Sequence, residues 1–172
     1  DSTTGGHSLT LKTATGAIDI EGKIGNSTAL KSLDINSAGT PAGEITIFQI
    51  GDTNAGVVEG GATAIGNTST AKLTFDGTIY KTGGTQTYRS DSGSKIVFSN
   101  ASGATLTTSA DNVSFIKGDV IVEDTTLTIT TGGSNNAGNI SIAGSLKGKA
   151  NNATSNVSFT SGAGTIDLHA IS

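Results

Sequence analysis

Pairs of apolar residues with one residue between them recur along this chain, and turns rich in Gly, Ser, Thr and Asn separate them. Many pairs are followed after a glycine by a second pair, as in LTLKTATGAIDI from Leu9. An apolar residue at every second position is typical of a β-strand with one buried face. The runs begin at Leu9, Leu33, Leu73, Ile96, Val113, Leu127 and Val157. With one more irregular run in VVEGGATAIGN, they give seven to eight turns of about 20 residues.

This spacing predicts an all-β fold, a parallel β-helix (β-solenoid) in which each run begins a coil that stacks on the previous one. We expect residues 1–172 to form a single solenoid segment of seven to eight coils. In the first coil the alternation predicts inward side chains at Leu9, Leu11, Ile18 and Ile20, and outward ones at Thr10, Lys12, Ala17 and Asp19.

The same reasoning predicts a stack of aromatic rings in the core. Phe75, Phe98 and Phe115 take the second apolar position in three consecutive runs. If each run begins a coil, the three rings stack inside the solenoid at the spacing of neighbouring strands, about 4.8 Å.

The composition suits such a thin core and excludes several classes of protein. Apolar residues make up 34% of the chain and charged residues 14%, while the net charge is only −4, which does not favour disorder. The sequence has no cysteine, so it has neither a disulfide nor a thiolate metal site. No apolar run is long enough to cross a membrane. The ten Lys and Arg residues are scattered, which argues against a nucleic-acid partner.

The beginning of the chain recurs near its end. When Gly16 is aligned with Gly164, an offset of 148 residues, Leu9 aligns with Val157, and Ile18 aligns with Ile166. We interpret this as a longer repeat of about 148 residues that enters its second copy. On the predicted coil length, one such repeat would take about seven coils.

Two stretches resemble the repeats of filamentous-haemagglutinin-type adhesins, large surface proteins of Gram-negative bacteria. The stretch GAIDIEGKIGNSTALKSLDI, from Gly16 to Ile35, is similar to one repeat form of that family, and GTIYKTGGTQTYRSD, around Thr78 to Tyr88, is similar to another. The resemblance implies a right-handed parallel β-helix shaft, secretion to the bacterial cell surface, and adhesion or matrix formation. It implies no catalytic residue.

We assign no catalytic, cofactor-binding or metal-binding residue from the sequence. His7 and His169 have no nearby set of metal-ligand residues with the usual spacing, and we expect exposed or turn histidines. Asp19 and Asp167 fall at outward positions of matching strands, where solvated charges are expected. Weak calcium binding at turn residues such as Asp52 stays an alternative, as it does at Asp111.

Seven N-x-[ST] sequons occur in the chain, a density that an Asn-, Ser- and Thr-rich composition produces largely by chance. Modification at these positions is a second open alternative. The sequons begin at Asn26, Asn67, Asn100, Asn112, Asn139, Asn152 and Asn156.

These observations favour a non-enzymatic shaft segment of a bacterial extracellular filament or giant adhesin. The first alternative is a stand-alone solenoid that binds ice or polysaccharide through outward threonines. The outward positions beside the apolar pairs vary, however: Thr10, Asp34, Thr74, Val97, Ser114, Thr128 and Ser158. A second alternative is a β-helix enzyme that degrades polysaccharides, for which the sequence shows no pair of acid and base carboxylates.

The last expectation concerns partners. The chain opens with DSTTGGHS and closes on IDLHAIS, and neither stretch looks like a capping element for a solenoid. We therefore expect the terminal coil to be covered by an adjacent repeat or by an identical subunit stacked head to tail, with surface glycans as further candidate partners.

Overall fold

The computed structural model describes residues 4–38, 43–132, 137–149 and 154–172. These residues contain sixteen β-strands and no helix, and all strand pairs are parallel. The strands are β1 (Ser8–Leu11), β2 (Ile18–Ile24), β3 (Ser32–Ile35), β4 (Glu44–Ile50), β5 (Thr63–Ile65), β6 (Lys72–Phe75), β7 (Ile79–Lys81), β8 (Gln86–Arg89), β9 (Lys95–Phe98), β10 (Ala104–Thr108), β11 (Val113–Ile116), β12 (Asp119–Val122), β13 (Thr126–Thr131), β14 (Ile140–Gly148), β15 (Asn156–Thr160) and β16 (Ile166–Ile171). The predicted parallel β-solenoid is confirmed.

Each coil adds strands to three stacked columns, which we call the first, second and third faces. The first face contains β1, β3, β5, β8, β11 and the starts of β14 and β16. The second face contains the starts of β2 and β4, then β6, β9, β12 and the ends of β14 and β16. The third face contains the ends of β2 and β4, then β7, β10, β13 and β15.

The solenoid has six complete coils and the first two faces of a seventh, slightly fewer than the seven to eight coils predicted. The strand that opens each coil advances from Leu9 to Ile166 in six steps, so a coil takes about 26 residues. The prediction was high because an apolar pair marks one face of a coil rather than a whole coil. Strand β8, with the sequence QTYR, lacks the aliphatic pair that the count relied on.

Inward side chains form ladders with one residue per coil. The ladder on the first face runs through Leu11, Ile35, Ile65, Tyr88, Phe115, Ile142 and Leu168. The predicted inward residues of the first coil, Leu9, Leu11, Ile18 and Ile20, all pack against the buried core. They are only partly buried, because no other described coil lies above them.

The aromatic stack is partly as predicted. Phe75 and Phe98 are register partners on the second face, and their rings stack with centroids 4.6 Å apart. Phe115 is fully buried too, but it lies on the first face, where it pairs with Tyr88. Its ring meets Phe98 edge-on at 6.1 Å. The prediction of three rings in one stack was wrong, because the runs at Ile96 and Val113 begin on different faces.

A buried polar network lies beside these rings, and the apolar pattern did not predict it. The Tyr88 hydroxyl donates to Gln86 Oε1 at 2.9 Å. Gln86 Nε2 donates to the carbonyl oxygens of Tyr80 at 2.9 Å and Thr107 at 3.0 Å, so it joins the first and third faces inside the solenoid. The Tyr80 hydroxyl donates to the Ile47 carbonyl and accepts from the Gly77 amide. Both tyrosines and Gln86 therefore bury polar atoms with their hydrogen bonds made.

Several corners between faces need a left-handed backbone, as the abundance of Gly and Asn predicts. After the first-face strands of successive coils, Asn36 has a φ of 52° and Gly66 a φ of 76°. A Cβ at Gly66 would lie 2.1 Å from the Arg89 carbonyl oxygen of the next coil. The corner at Gly66 therefore requires glycine both for its conformation and for the close approach of neighbouring coils.

Candidate functional site

Six hydroxyl side chains form a regular grid on the outside of the third face. The register pairs Thr105 with Thr128 and Thr128 with Ser158, while the second row runs parallel to the first, two residues further along each strand. The side chains are exposed or half-exposed. The grid, which we call the threonine array, consists of Thr105, Thr107, Thr128, Thr130, Ser158 and Thr160. It covers three successive coils and contains no charged residue.

One coil earlier, the two positions of these rows are occupied by Ile79 and Lys81, so the array ends there. A groove with a volume of about 350 Å³ lies beside the array at the corner of the second and third faces. Thr105, Thr126 and Thr128 contribute to its lining together with Ser102. The array and the groove together form one neutral, hydroxyl-rich surface.

Sequence reasoning missed this array because it grouped outward residues by apolar pair and not by face. Of the seven outward positions compared in the sequence, three lie on the first face, two on the second and two on the third. Val97 is in fact buried, with 2% of its surface exposed. The variation among those seven positions therefore describes three different surfaces and not one irregular row.

The carboxy-terminal end of the described solenoid is an apolar surface. Val157, Ile166 and Ile171 are 40%, 43% and 71% exposed, and all three lie in the last two coils. Val157 and Ile171, together with Phe159 and Leu168, line a cavity of about 370 Å³. The outer edges of β15 and β16 have no further strand among the described residues. An open strand edge next to exposed aliphatic side chains is a template for pairing with another strand.

A smaller recess surrounds Arg89, the only arginine of the chain. Its volume is about 190 Å³, and Ser37, Ala64, Gly66 and Thr87 complete the lining. Arg89 Nε is buried and has no hydrogen-bond partner, and the guanidinium makes no ion pair with another described residue. The recess could receive a small anionic group, but no second charged side chain contributes to it.

Ion pairs link successive coils on the surface. Lys147 Nζ lies 2.7 Å from Asp119 Oδ2, and Lys149 Nζ lies 2.9 Å from Asp124 Oδ2. The hydrogen bond from Lys147 lowers the pKa of Asp119 below its ordinary value, helped by the Ser145 amide. These partners are partly exposed, so each pair stabilises the fold only slightly.

The histidines and aspartates considered in the sequence are not brought together. His7 and His169 are exposed in the first and the last coil, and Asp19 and Asp167 lie on different faces. Asp52 forms an ion pair with Lys23. Among the described residues, no three His, Asp or Glu side chains are grouped so that they could hold a metal ion.

Most sequon asparagines have structural contacts, and one is buried. Asn67 is 4% exposed, and its amide nitrogen, the atom that would carry a glycan, donates to the Asn36 carbonyl at 2.8 Å. Modification there would disrupt a corner of the solenoid. The Asn112 and Asn139 side chains accept backbone hydrogen bonds from the next coil, whereas Asn26 is exposed. Asn152 lies outside the described residues.

In comparisons with known proteins, no family model, no curated protein and no solved structure matches the chain. The resemblance to filamentous-haemagglutinin-type repeats therefore stays a prediction that rests on the stretches quoted above. The described residues contain no helix that is long and apolar enough to cross a membrane.

Proposed function

We propose that this chain is a non-enzymatic shaft segment of a bacterial extracellular filament or giant adhesin. Its stacked coils give reach, and its ends pair with further coils of the same kind, whether in the same polypeptide or in another copy. The observation that carries this proposal is the open apolar end, where Val157, Ile166 and Ile171 are exposed next to two unpaired strand edges.

The physical argument rests on where apolar surface is exposed. Along the sides of the solenoid, inward aliphatic side chains are covered by the coils above and below, and the outward positions are mostly polar. The three large hydrophobic residues that stand out as exposed are all at the carboxy-terminal end. Clustered exposed apolar side chains mark an interaction site, and a strand edge specifies pairing with another strand.

Contact between the carboxy-terminal end of one unit and the amino-terminal end of the next is heterologous, and repetition of it gives a fibre. The amino-terminal coil provides a matching surface, since Leu9, Leu11, Ile18 and Ile20 are only partly buried. The resemblance to adhesin repeats supports a location on the bacterial surface, and surface glycans are candidate ligands of such a protein.

The test of the shaft is the dependence of self-association on this end. We expect the isolated chain to associate end to end at high concentration, measured by sedimentation and electron microscopy. Ile171→Lys should abolish association, because it places a charge at the uncovered core. Ile121→Lys is the matched control, since Ile121 is a half-buried aliphatic residue at an outward position of the second face. A chain that stays monomeric, or association that Ile121→Lys disrupts and Ile171→Lys does not, would contradict the proposal.

Surface location and lack of catalysis need their own measurements. Antibody labelling of intact cells that carry the gene should detect the protein. Purified protein should release neither reducing ends nor unsaturated sugars from polysaccharides. Release that depends on a single carboxylate would instead favour the polysaccharide-degrading alternative.

The threonine array favours a second candidate function, binding of the solenoid side to ice or to a polysaccharide. Its hydroxyl and methyl groups repeat along and across the strands without any charge, which suits a neutral ligand with a repeating surface. Thr128→Lys, in the centre of the array, should remove inhibition of ice growth or retention on insoluble polysaccharide. Thr74→Lys, on the second face, is the control and should have no effect. Equal behaviour of the two variants would exclude this candidate.

A further inference from the structure

Two segments of the chain that are 148 residues apart have the same local structure but lie on different faces. Strand β1 begins at Ser8 and β15 at Asn156, while β2 begins at Ile18 and β16 at Ile166. In both segments a short strand is followed by a turn and then by a strand that bends around a corner with a shift in its register. Strand β1 is on the first face, however, and β15 is on the third.

The offset is therefore not a whole number of coils. From β1 to β15 the chain completes five coils and two further faces. The second strand shows the same displacement, because Ile18 lies on the second face and Ile166 on the first. The expectation that one repeat takes about seven coils was wrong, and the actual length leaves each repeat one face short of closure.

Both placements keep the same side chains inside. Leu9 and Leu11 point toward the core of the first coil, and Val157 and Phe159, their counterparts at the offset, are the register partners of the buried residues Leu127 and Ile129. The recurrent segment is therefore compatible with either face, since each face needs one apolar pair directed inward.

We propose that successive 148-residue repeats of the shaft are rotated by one face, so that a strand with the sequence of β3 covers β15 on the third face. The inference rests on the proposed function, because it requires that a further repeat follows. In the first coil, β3 covers β1 by placing Leu33 on Leu9 and Ile35 on Leu11. At the same offset, the next Leu-x-Ile pair covers Val157 and Phe159.

The open end fits this occupant. The described chain stops after the second face of the seventh coil, so the next face in order is the third, directly above Val157 and Phe159. These two side chains line the cavity of about 370 Å³ at this end, which two aliphatic side chains from a new strand would fill. An unrotated repeat would place the same strand on the first face, above β16, and would need an extra third-face strand before it. The rotation also means that a surface such as the threonine array reappears one face further around the shaft in each repeat.

The test uses the full chain extended after Ser172 by a copy of residues 25–50, with cysteine in place of the copied Asp34. The chain has no cysteine of its own. In the native register Asp34 pairs with Thr10, the outward residue of β1. The copied residue should therefore lie beside Ser158 if the repeat is rotated, and beside Asp167 if it is not. Neighbouring strands are about 4.8 Å apart, which is within the range of a disulfide.

We expect the extended chain with Ser158→Cys to form the intramolecular disulfide on mild oxidation, and the one with Asp167→Cys to remain reduced. The unextended chain with Thr10→Cys and Asp34→Cys is the control for oxidation between adjacent coils. A disulfide with Asp167→Cys, or none with either partner while the control oxidises, would overturn the rotation. Cell-surface labelling is measured separately, so failure of the rotation and failure of the proposed function give different results.

Discussion

Phe75 and Phe98 occupy the same position on adjacent coils of the second face, and their rings are nearly parallel, with centroids 4.6 Å apart and an interplanar angle of 11°. The spacing follows from the strand separation, because in-register parallel strands place equivalent side chains directly above one another. Tyr80 and Tyr88 meet the Phe75 ring edge-on at 4.7 and 4.8 Å. This cluster is the largest concentration of aromatic side chains in the described core.

Truncation of this cluster should destabilise the solenoid strongly. Phe98→Ala removes a fully buried ring that neighbouring coils cannot replace, and we expect a loss of about 3–5 kcal/mol in the free energy of unfolding. Phe48→Ala makes the same chemical change at a half-buried position and should cost clearly less. Denaturant unfolding of both variants checks the difference, and equal losses would show that the ring stack adds nothing particular.

The buried tyrosine–glutamine network should be sensitive to the loss of one partner. Gln86→Leu leaves the Tyr88 hydroxyl without its acceptor and the Tyr80 and Thr107 carbonyls without their donor. Each unsatisfied buried group costs roughly 1–3 kcal/mol. Tyr88→Phe leaves only the Gln86 oxygen unsatisfied and should cost less. A double-mutant cycle measures the coupling energy, which should be well above zero if the hydrogen bond contributes to stability.

The fold should lose stability at alkaline pH. Burial raises the pKa of Tyr88 well above its ordinary value, and burial also raises that of Tyr80. The folded state therefore holds its phenol protons more tightly than the unfolded state does. This contribution is fully present below the unfolded pKa of about 10 and is lost as pH rises toward the folded values. Since the chain has only these two tyrosines, tyrosinate absorbance should appear together with unfolding. Tyrosinate formation near the ordinary pKa in a folded chain would contradict this.

Alanine at the Gly66 corner should be poorly tolerated. The left-handed backbone, with a φ of 76°, costs an alanine roughly 1–3 kcal/mol, and the new Cβ would also collide with the Arg89 carbonyl. Gly60→Ala tests the backbone alone, because its φ is 70° but nothing lies within 4 Å of its Cβ. Gly93→Ala has neither constraint. Melting temperatures should fall most for Gly66→Ala and least for Gly93→Ala, and any other order would disprove the account.

The ion pair between Asp119 and Lys147 should have a small effect that depends on pH. Its lowered pKa means that Asp119 contributes stability above the unfolded value of about 3.9, and this is lost as pH falls through the folded value. Both side chains are partly exposed, so Asp119→Asn should cost about 0.2–1 kcal/mol at neutral pH and nothing in acid. Asp19→Asn, at an exposed position without an ion pair to a described residue, should change stability at neither pH.

The sequence by itself determined the class of fold and the direction of most side chains. Alternation with a period of two depends only on the geometry of a strand, so the apolar pattern alone was enough to place Leu9, Leu11, Ile18 and Ile20 inside. The need for glycine or asparagine at corners is equally local, because a positive φ is a property of single residues.

Only the tertiary structure decided which strands stack on which. An apolar pair is equally suited to any of the three faces, so the pattern could not show that Phe98 and Phe115 lie on different faces, or that Val157 lies on the third face while Leu9 lies on the first. The threonine array and the Gln86 network appear only when the register joins residues that are more than 20 positions apart. Register is a cooperative property of the whole stack, set by turn lengths and by the filling of the core, and a local period contains no information about it.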